Sequence, residues 1–470
     1  MKSLKNIKTR QKKIEHQKQK RKQKEKLNRK KKNTGETVTY QLIQTITHFF
    51  PDLFDRVRQI DDCRKKTSDY ELAELIIAGI AMFLFKEGSR NAFNNDRKEE
   101  NFSKNYEKLF KMRLPHMDTV DAVMRVLEEN ELQELKTSLV KILIEKKSLH
   151  KFRFLKRWFI VAVDGSGVFN FSEKHCDHCT HTTSKNGNTT YFHNVLETKI
   201  ICCNGFSISV ATEWIENAEG DYEKQDCEQK AFKRLQKRLK MFYPRLPICI
   251  TTDGLYPNEP FFNICKNNNW HFIVNFEKGN LPSVWKKVEQ LKLTTDYNKH
   301  SQVVYQKNEK IQYYYCWING IDYRGNPINF IECKEVIKNI KNNKIEVSRF
   351  VYLTDIEINR SNAAEVVHTG RLRWKIENEG FNTQKNLGYN LQHKYSRVSY
   401  LAAKNYYQCL QIGHLLNQLL EHGSKFKVLL KDKNTIKQLW KCLIGFMIFC
   451  DIDSKKVSIL TQLRIQVRFE

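Results

Sequence analysis

The sequence predicts an α/β protein: a mixed sheet flanked by helices, with a helical N-terminal domain ahead of it and a β-rich insertion within it. Three observations carry the prediction. "RWFIVAV" (157–163), "LPICITT" (246–252) and "HFIVNF" (271–276) are short, continuous apolar runs, the pattern of strands buried on both faces. Between the first two lies an amphipathic helical stretch with Phe232, Leu235, Leu239 and Phe242 on one stripe. Before residue 150 apolar residues recur at helical spacing, whereas over 290–350 that spacing gives way to strand-like runs.

In chain order, residues 1–35 form a low-complexity basic tail. Residues 1–32 carry 16 Lys/Arg against Glu15 and Glu25, half of the formal excess of +28. Such a segment is expected to stay disordered until it meets phosphate. It has no apolar core segment, so it does not read as a signal peptide. Residues 36–150 read as a helical domain. "YELAELIIAGIAMFLFKEG" and "TVDAVMRVLEENELQELKTSLVKILIEKK" are its main helices, with Asp118 and Thr119 as cap candidates for the second. "LIIAGIAMFLF" (75–85) is too short to cross a bilayer and reads as a buried helix, so no membrane partner is expected.

Residues 151–289 form the first part of the sheet core. The first apolar run stops at Asp164, followed by Gly-Ser-Gly. Two β-rich runs then meet through Asn204-Gly205, a strong hairpin signal. The second apolar run stops at Asp253-Gly254. Residues 290–350 read as a β-meander with another Asn-Gly turn at 319–320. Residues 351–422 complete the core and turn helical from about 361 onward, through "RLRWKIENEGFNTQK" (371–385). Residues 423–470 read as a helical tail. Trp158, Trp214, Trp270, Trp285 and Trp317 sit in or beside apolar runs and are expected in cores.

At 470 residues the chain is long enough for more than one domain. A pI near 9.5 points to a polyanionic partner, nucleic acid first and an anionic membrane surface second. The 13 cysteines are odd in number and scattered from Cys63 to Cys450, which does not read as a disulfide framework and fits a reducing cytoplasm.

Asp164 and Asp253 each end an apolar strand, at the sheet edge where α/β proteins bind ligands. Two carboxylates there suit a hard divalent cation, Mg2+ or Mn2+. Asp-Gly is equally ordinary turn chemistry. In the 371–385 helix Arg373 and Glu377 are i, i+4 and share a face. Phe381 and Lys385 continue on that side, and Glu379 points away. A solvated, salt-bridged helix is the plainer reading of those residues taken alone. "HCDHCTH" (175–181) holds Cys176 and Cys179 as a CxxC, with His175, His178, His181, His193 and Cys227 nearby in sequence. Zinc needs four convergent ligands. The set Cys176, Cys179, His181 and His193 is the candidate, and a polar loop the alternative.

"VAVDGSG", "ITTDG" and "RWKIENEGFNTQK", with a β-rich stretch before the last, resemble the IS4-type DDE transposases over roughly residues 155–420. The resemblance implies a ribonuclease-H-like catalytic core in which Asp164, Asp253 and Glu377 hold two Mg2+ or Mn2+ ions. Arg373 and Lys385 would be phosphate-contacting members of the family's Tyr-Arg-Glu-Lys signature, and Trp374 a packing or base-capturing residue near the cut. Two departures stand out. The family's Tyr falls on Gly370, and its Lys falls on Gln384, one residue before Lys385. Gly380 costs a helix about 1 kcal/mol relative to Ala and is the place for a local bulge that absorbs the extra residue.

The implied activity is DNA transposition of an insertion sequence, by end cleavage and strand transfer to target DNA. Implied partners are double-stranded DNA (terminal inverted repeats and target) and a second copy of the chain on paired ends. The implied location is the prokaryotic cytoplasm, associated with the nucleoid. The helical domain would read the repeats, and the tail would add salt-dependent, sequence-blind affinity. No P-loop appears, so no nucleotide cofactor is expected. A catalytically inactive DNA-binding protein and a stand-alone nuclease of the same fold are the alternatives. The presence of all three acids argues against the first, and the β-rich stretch and basic tail against the second.

Overall fold

The computed structural model describes residues 33–65, 69–220, 223–294, 298–431 and 434–469. The predicted basic tail therefore lies almost wholly outside the described residues. The chain divides into two compact units.

In the first unit, the described parts of residues 1–127, 387–389 and 401–470, the elements are helical. Helix α1 (33–49) precedes α2 (Leu53–Arg58). The all-apolar run forms α3 (Leu72–Leu84), every residue of which is buried. Its one acid, Glu74, accepts from the Arg113 guanidinium at 2.8–2.9 Å and from the Glu71 amide at 2.9 Å, so the buried charge is paired. Then come α4 (Arg90–Lys98), α5 (Glu100–Phe110) and α6 (Met117–Met124).

The single helix expected from residue 119 onward is two. It breaks at 125–128, and α7 (Glu129–Glu145) belongs to the second unit. The cap of α6 is His116, not Asp118 or Thr119. The break is stabilised from a distance in sequence: the Asn405 amide, in a later helix of the same unit, donates to the Met124 and Leu127 carbonyls at 2.9 and 2.7 Å, satisfying groups that a helix end leaves orphaned.

The second unit, the described parts of residues 128–386 and 390–400, is built on a mixed ten-stranded sheet. Its strands are β1 (Phe159–Phe171), β2 (Thr180–Thr183), β3 (Thr189–Ile201), β4 (Ser207–Ile215), β5 (Ile248–Thr252), β6 (His271–Asn275), β7 (Asn298–Gln306), β8 (Glu309–Tyr323), β9 (Asn326–Asn339) and β10 (Ile345–Thr354). The order is β2-β3-β1-β5-β6-β10-β9-β8-β7, with β4 also beside β3. β1, β5 and β6 run parallel, and the remaining pairs are antiparallel. Helix α8 (Glu228–Phe242) buries the predicted Phe232, Leu235, Leu239, Phe242 stripe, and α9 (Glu259–Asn268) and α10 (Pro282–Thr294) follow.

The Asn204-Gly205 hairpin joins β3 to β4, with Gly205 at φ 104°. The second expected Asn-Gly turn is not a turn. Asn319 and Gly320 sit inside β8 at a bulge, where Gly320 takes φ 73° and the Asn319 side chain bonds both backbone groups of Ile358. The chain reverses at Arg324-Gly325, where two successive positive φ values of 51° and 78° match the twist a tight hairpin needs.

Strand β1 also departs from expectation: it does not stop at Asp164 but runs on to Phe171. Its pairing with β5 ends at Ala162, whereas its pairing with β3 continues along its whole outer half. The apolar run therefore marks where β1 has neighbours on both edges. The helix expected through residue 385 is three pieces: α11 (Ala363–Leu372), a π-helix (Ile376–Asn382) and α12 (Thr383–Asn386). Helicity then lapses over 387–399 before α13 (Tyr400–Glu421), with Gly388 at φ 93°. The tail forms α14 (Ser424–Lys431), α15 (Ile436–Phe449) and α16 (Ser454–Gln462) in the first unit. Among the described residues no helix is long and apolar enough to cross a membrane.

Candidate active site

The parallel register of β1 and β5 sets the two aspartates side by side. Ala162 pairs with Thr251 as the last partners, and Asp164 and Asp253 each lie two residues farther on. Residues two apart on a strand face the same way. The aspartates thus stand at one level on neighbouring strands, where β5 ends and helix has not begun. The Leu255 amide donates to Asp253 Oδ1 at 2.9 Å, holding that turn.

The π-helix brings the third acid. Arg373, 9% exposed, aims its Nη1 at Asp164 Oδ2, 3.7 Å away. Glu377 follows one turn later, at the start of the π-helix. Burial pushes the Asp164 carboxyl up to about 7. Arg373 opposes the shift, while Asp253, Glu228 and Glu377 each add to it. Four carboxylates thus share one neighbourhood with a single near guanidinium, an arrangement with a deficit of positive charge. Glu379 is turned elsewhere, its Oε1 2.7 Å from Lys375 Nζ. The Arg373 guanidinium also lies 4.7 Å from the ring of Trp374, which is 55% exposed. Lys385 sits in α12 with its ammonium 6.0 Å from the Phe381 ring.

The extra residue between Glu377 and Lys385 falls in the π-helix, whose wider turn takes up one residue more than an α turn. Gly380 lies within it, and a Cβ there would stand 2.9 Å from Ser207 Oγ. Beneath the π-helix is a buried polar floor. Lys199 Nζ lies 4.9 Å from the Phe381 centroid. Lys136 Nζ donates to Ser209 and Thr212 at 2.7 and 2.8 Å, and both hydroxyls bond Glu197. Burial pulls both ammoniums down to about 8, with Glu197 holding each up against it.

Two members of the neighbourhood were not foreseen. Glu228 opens α8, and a Cβ on Gly165 would come within 2.3 Å of its Oε1, so Gly165 is the clearance beside Asp164 that admits it. Burial raises the Glu228 carboxyl, Asp253 raises it further, and the Tyr256 hydroxyl, 3.4 Å away, opposes the shift. An acid in the first turn of a helix is ordinary dipole chemistry, so no sequence signal marked it. Tyr352, on β10, lays its ring on Gly370, where a Cβ would be 2.5 Å from a ring carbon. The Tyr352 ring thus fills the space beside Gly370 that a side chain there would need.

A second constellation lies on the same unit. His175, Cys176, Cys179 and His193 offer four ligand atoms within 4.8 Å of one another. His181, expected in this set, is not part of it. β2 pairs it with Tyr191, two residues or about 7 Å along β3 from His193. His175 takes its place.

In comparison with known proteins, no family model matches the chain, and no curated protein matches it. Trp214, Trp270 and Trp317 are buried, as expected of core residues, while Trp158 and Trp285 are half-buried.

Proposed function

We propose that this protein is a metal-dependent DNA transposase with a ribonuclease-H-like catalytic core, cutting element ends and joining the freed 3′-OH to target DNA. The observation that carries the reading is the convergence of Asp164 and Asp253, level on adjacent parallel strands, with Arg373 and Glu377 from one helical segment. The strand sequence supports the fold assignment: antiparallel β4-β3-β1 continues into parallel β1-β5-β6, with Asp164 on β1 and Asp253 directly after β5.

The donor set fits hard divalent cations. Clustered carboxylates, with Asp164 beside Asp253, Glu228 and Glu377, bind Mg2+ or Mn2+ through oxygen. Asp164, Asp253 and Glu377 would hold the ions, which when bound polarise phosphate oxygens and activate the attacking water or 3′-OH. Arg373, beside Asp164, would contact a phosphate oxygen entering the site. Lys385, one short helix later, adds charge along the same backbone, and the exposed Trp374 ring offers a face for an unpaired base near the cut. DNA binding fits the charge of +28, half of it in residues 1–32. Pairing of two ends by two copies of the chain belongs to the same reading.

The test is cleavage and strand transfer on labelled DNA carrying the element's ends, with Mg2+ or Mn2+, wild type against Asp164→Asn. Cation-dependent nicking followed by joining, lost in the variant, is the expected result. Cleavage without joining would make the protein a nuclease. Binding without cleavage in either protein would make it a DNA-binding protein only.

A further inference from the structure

The His175, Cys176, Cys179, His193 cluster stands apart from the carboxylates and takes no part in the chemistry above. It lies where the chain leaves β1, loops through 172–179 and returns by β3. Cys176 Sγ and Cys179 Sγ are 3.9 Å apart, too far for a disulfide. His193 Nε2 is 3.4 Å from each sulfur. A tetrahedral zinc with ordinary bond lengths sets its ligand atoms about 3.8 Å apart for S···S and about 3.6 Å for S···N. The spacing of the three atoms is thus already that of one face of a zinc tetrahedron.

The fourth ligand is oriented for the same centre. His175 Nε2 lies 3.0 Å from the Arg397 carbonyl, which fixes the proton on that nitrogen. Its Nδ1 is buried with no hydrogen-bond partner, as a ring nitrogen reserved for a metal is. A ligating histidine characteristically gives its other N–H to a carbonyl in this way. Both rings are clamped: Phe171 stacks on His175 at 4.5 Å, and Tyr400 on His193 at 4.0 Å. The CxxC turn is closed by Cys179 N donating to the Cys176 carbonyl at 3.3 Å. The Cys179 carbonyl in turn accepts from the Asn217 amide at 2.7 Å.

We infer that His175, Cys176, Cys179 and His193 bind one structural Zn2+. Two thiolates and two imidazoles are the soft-to-borderline set that selects zinc over the hard cations of a carboxylate site. On binding, both thiols lose their protons to solvent and the two thiolates neutralise the ion. Four protein ligands leave no open position, so the metal clips structure and does no chemistry. What it clips is the loop after β1 to β3 and, through Asn217, to the segment that leads into α8 and Glu228. This inference stands on its own and does not rest on the phosphoryl-transfer reading.

The experiment uses untagged full-length protein, purified without chelator and analysed for metal. About one zinc per chain is expected. Replacement by Co2+ should give the intense visible absorption of a tetrahedral thiolate site. In native protein Cys176 and Cys179 should resist thiol reagents and become reactive after chelation, which tests the site without a variant. His175→Ala should lose the metal and His181→Ala should keep it. Absence of zinc after supplementation, a Cys176–Cys179 disulfide in freshly isolated protein, or metal lost in His181→Ala but kept in His175→Ala would each overturn the inference. None of these readouts involves DNA cleavage, so the two proposals fail separately.

Discussion

At the scale of single residues, the two glutamates of "RWKIENEG" have opposite partners. Glu377 raises the Asp164 carboxyl, so it is part of the acid cluster, whereas Glu379 is spent on Lys375 at 2.7 Å. Under the proposed mechanism, Glu377→Gln removes a metal ligand. Cleavage should fall by more than about a hundredfold, roughly 3 kcal/mol of barrier, with DNA affinity retained. Glu379→Gln should stay within about tenfold of wild type. Gel-based cleavage and band-shift assays on both variants check this, and the reverse ranking would move the third acid to Glu379. Arg373 answers to the same logic from the other side, because the raised Asp164 carboxyl is the residue it holds down. Gly370 makes a purely steric case. A methyl group there meets the Tyr352 ring at 2.5–2.8 Å, with backbone on one side and a buried ring on the other. Gly370→Ala should destabilise the second unit by about 1–3 kcal/mol in urea unfolding, and Tyr352→Ala combined with it should recover part of that loss.

At the scale of elements, the π-helix and the strands under it depend on one buried charge. Glu197, fully buried on β3, stands between the ammoniums of Lys136 and Lys199. Glu197→Gln leaves both uncompensated, and breaking such a network costs about 3–5 kcal/mol. The lysines, already pulled down to about 8, can escape by losing protons. The destabilisation of the variant should therefore be largest well below pH 8 and shrink as pH rises towards about 8, where the wild-type lysines lose their protons too, as denaturant midpoints across pH would record. Much at this scale was legible in the sequence. The apolar runs of β1, β5 and β6, the α8 stripe and the Asn204-Gly205 hairpin follow from local periodicity and turn chemistry. What was not legible depends on neighbours. β1 runs past Asp164 because β3 continues beside it, Asn319-Gly320 is a bulge because Asn319 bonds Ile358, and α6 ends where Asn405 can satisfy its carbonyls.

At the scale of the whole molecule, each unit has its own titrating weakness and its own expected role. In the first, burial pushes Glu87 up to about 8, with Asp96 beside it adding to the shift. The native state then keeps a proton that the unfolded chain releases near the ordinary value of 4.5. The stabilising contribution is full below that value and is lost as pH rises to about 8, so stability falls with pH through that window. Glu87→Gln should flatten the fall, measured as the urea midpoint at about pH 5 and about pH 9. Under the proposed function, deleting residues 1–32, which hold 16 of the 81 Lys/Arg, should make DNA affinity less steeply dependent on salt while leaving the proposed cation-dependent cleavage of bound DNA intact.

By itself, the sequence determined the mixed α/β class, the basic character and the two aspartates that close the apolar runs of β1 and β5, because periodicity, charge and turn residues are local quantities that a single chain displays. Only the tertiary structure decided which groups meet. The register of β1 on β5 levels Asp164 with Asp253, and α8 delivers Glu228 beside them. β10 lays Tyr352 where the chain has Gly370, and the β2–β3 pairing displaces His181 so that His175 faces the cysteines. All but the last are contacts between residues far apart in the chain, and all are set by pairing and packing that spacing along the sequence does not record.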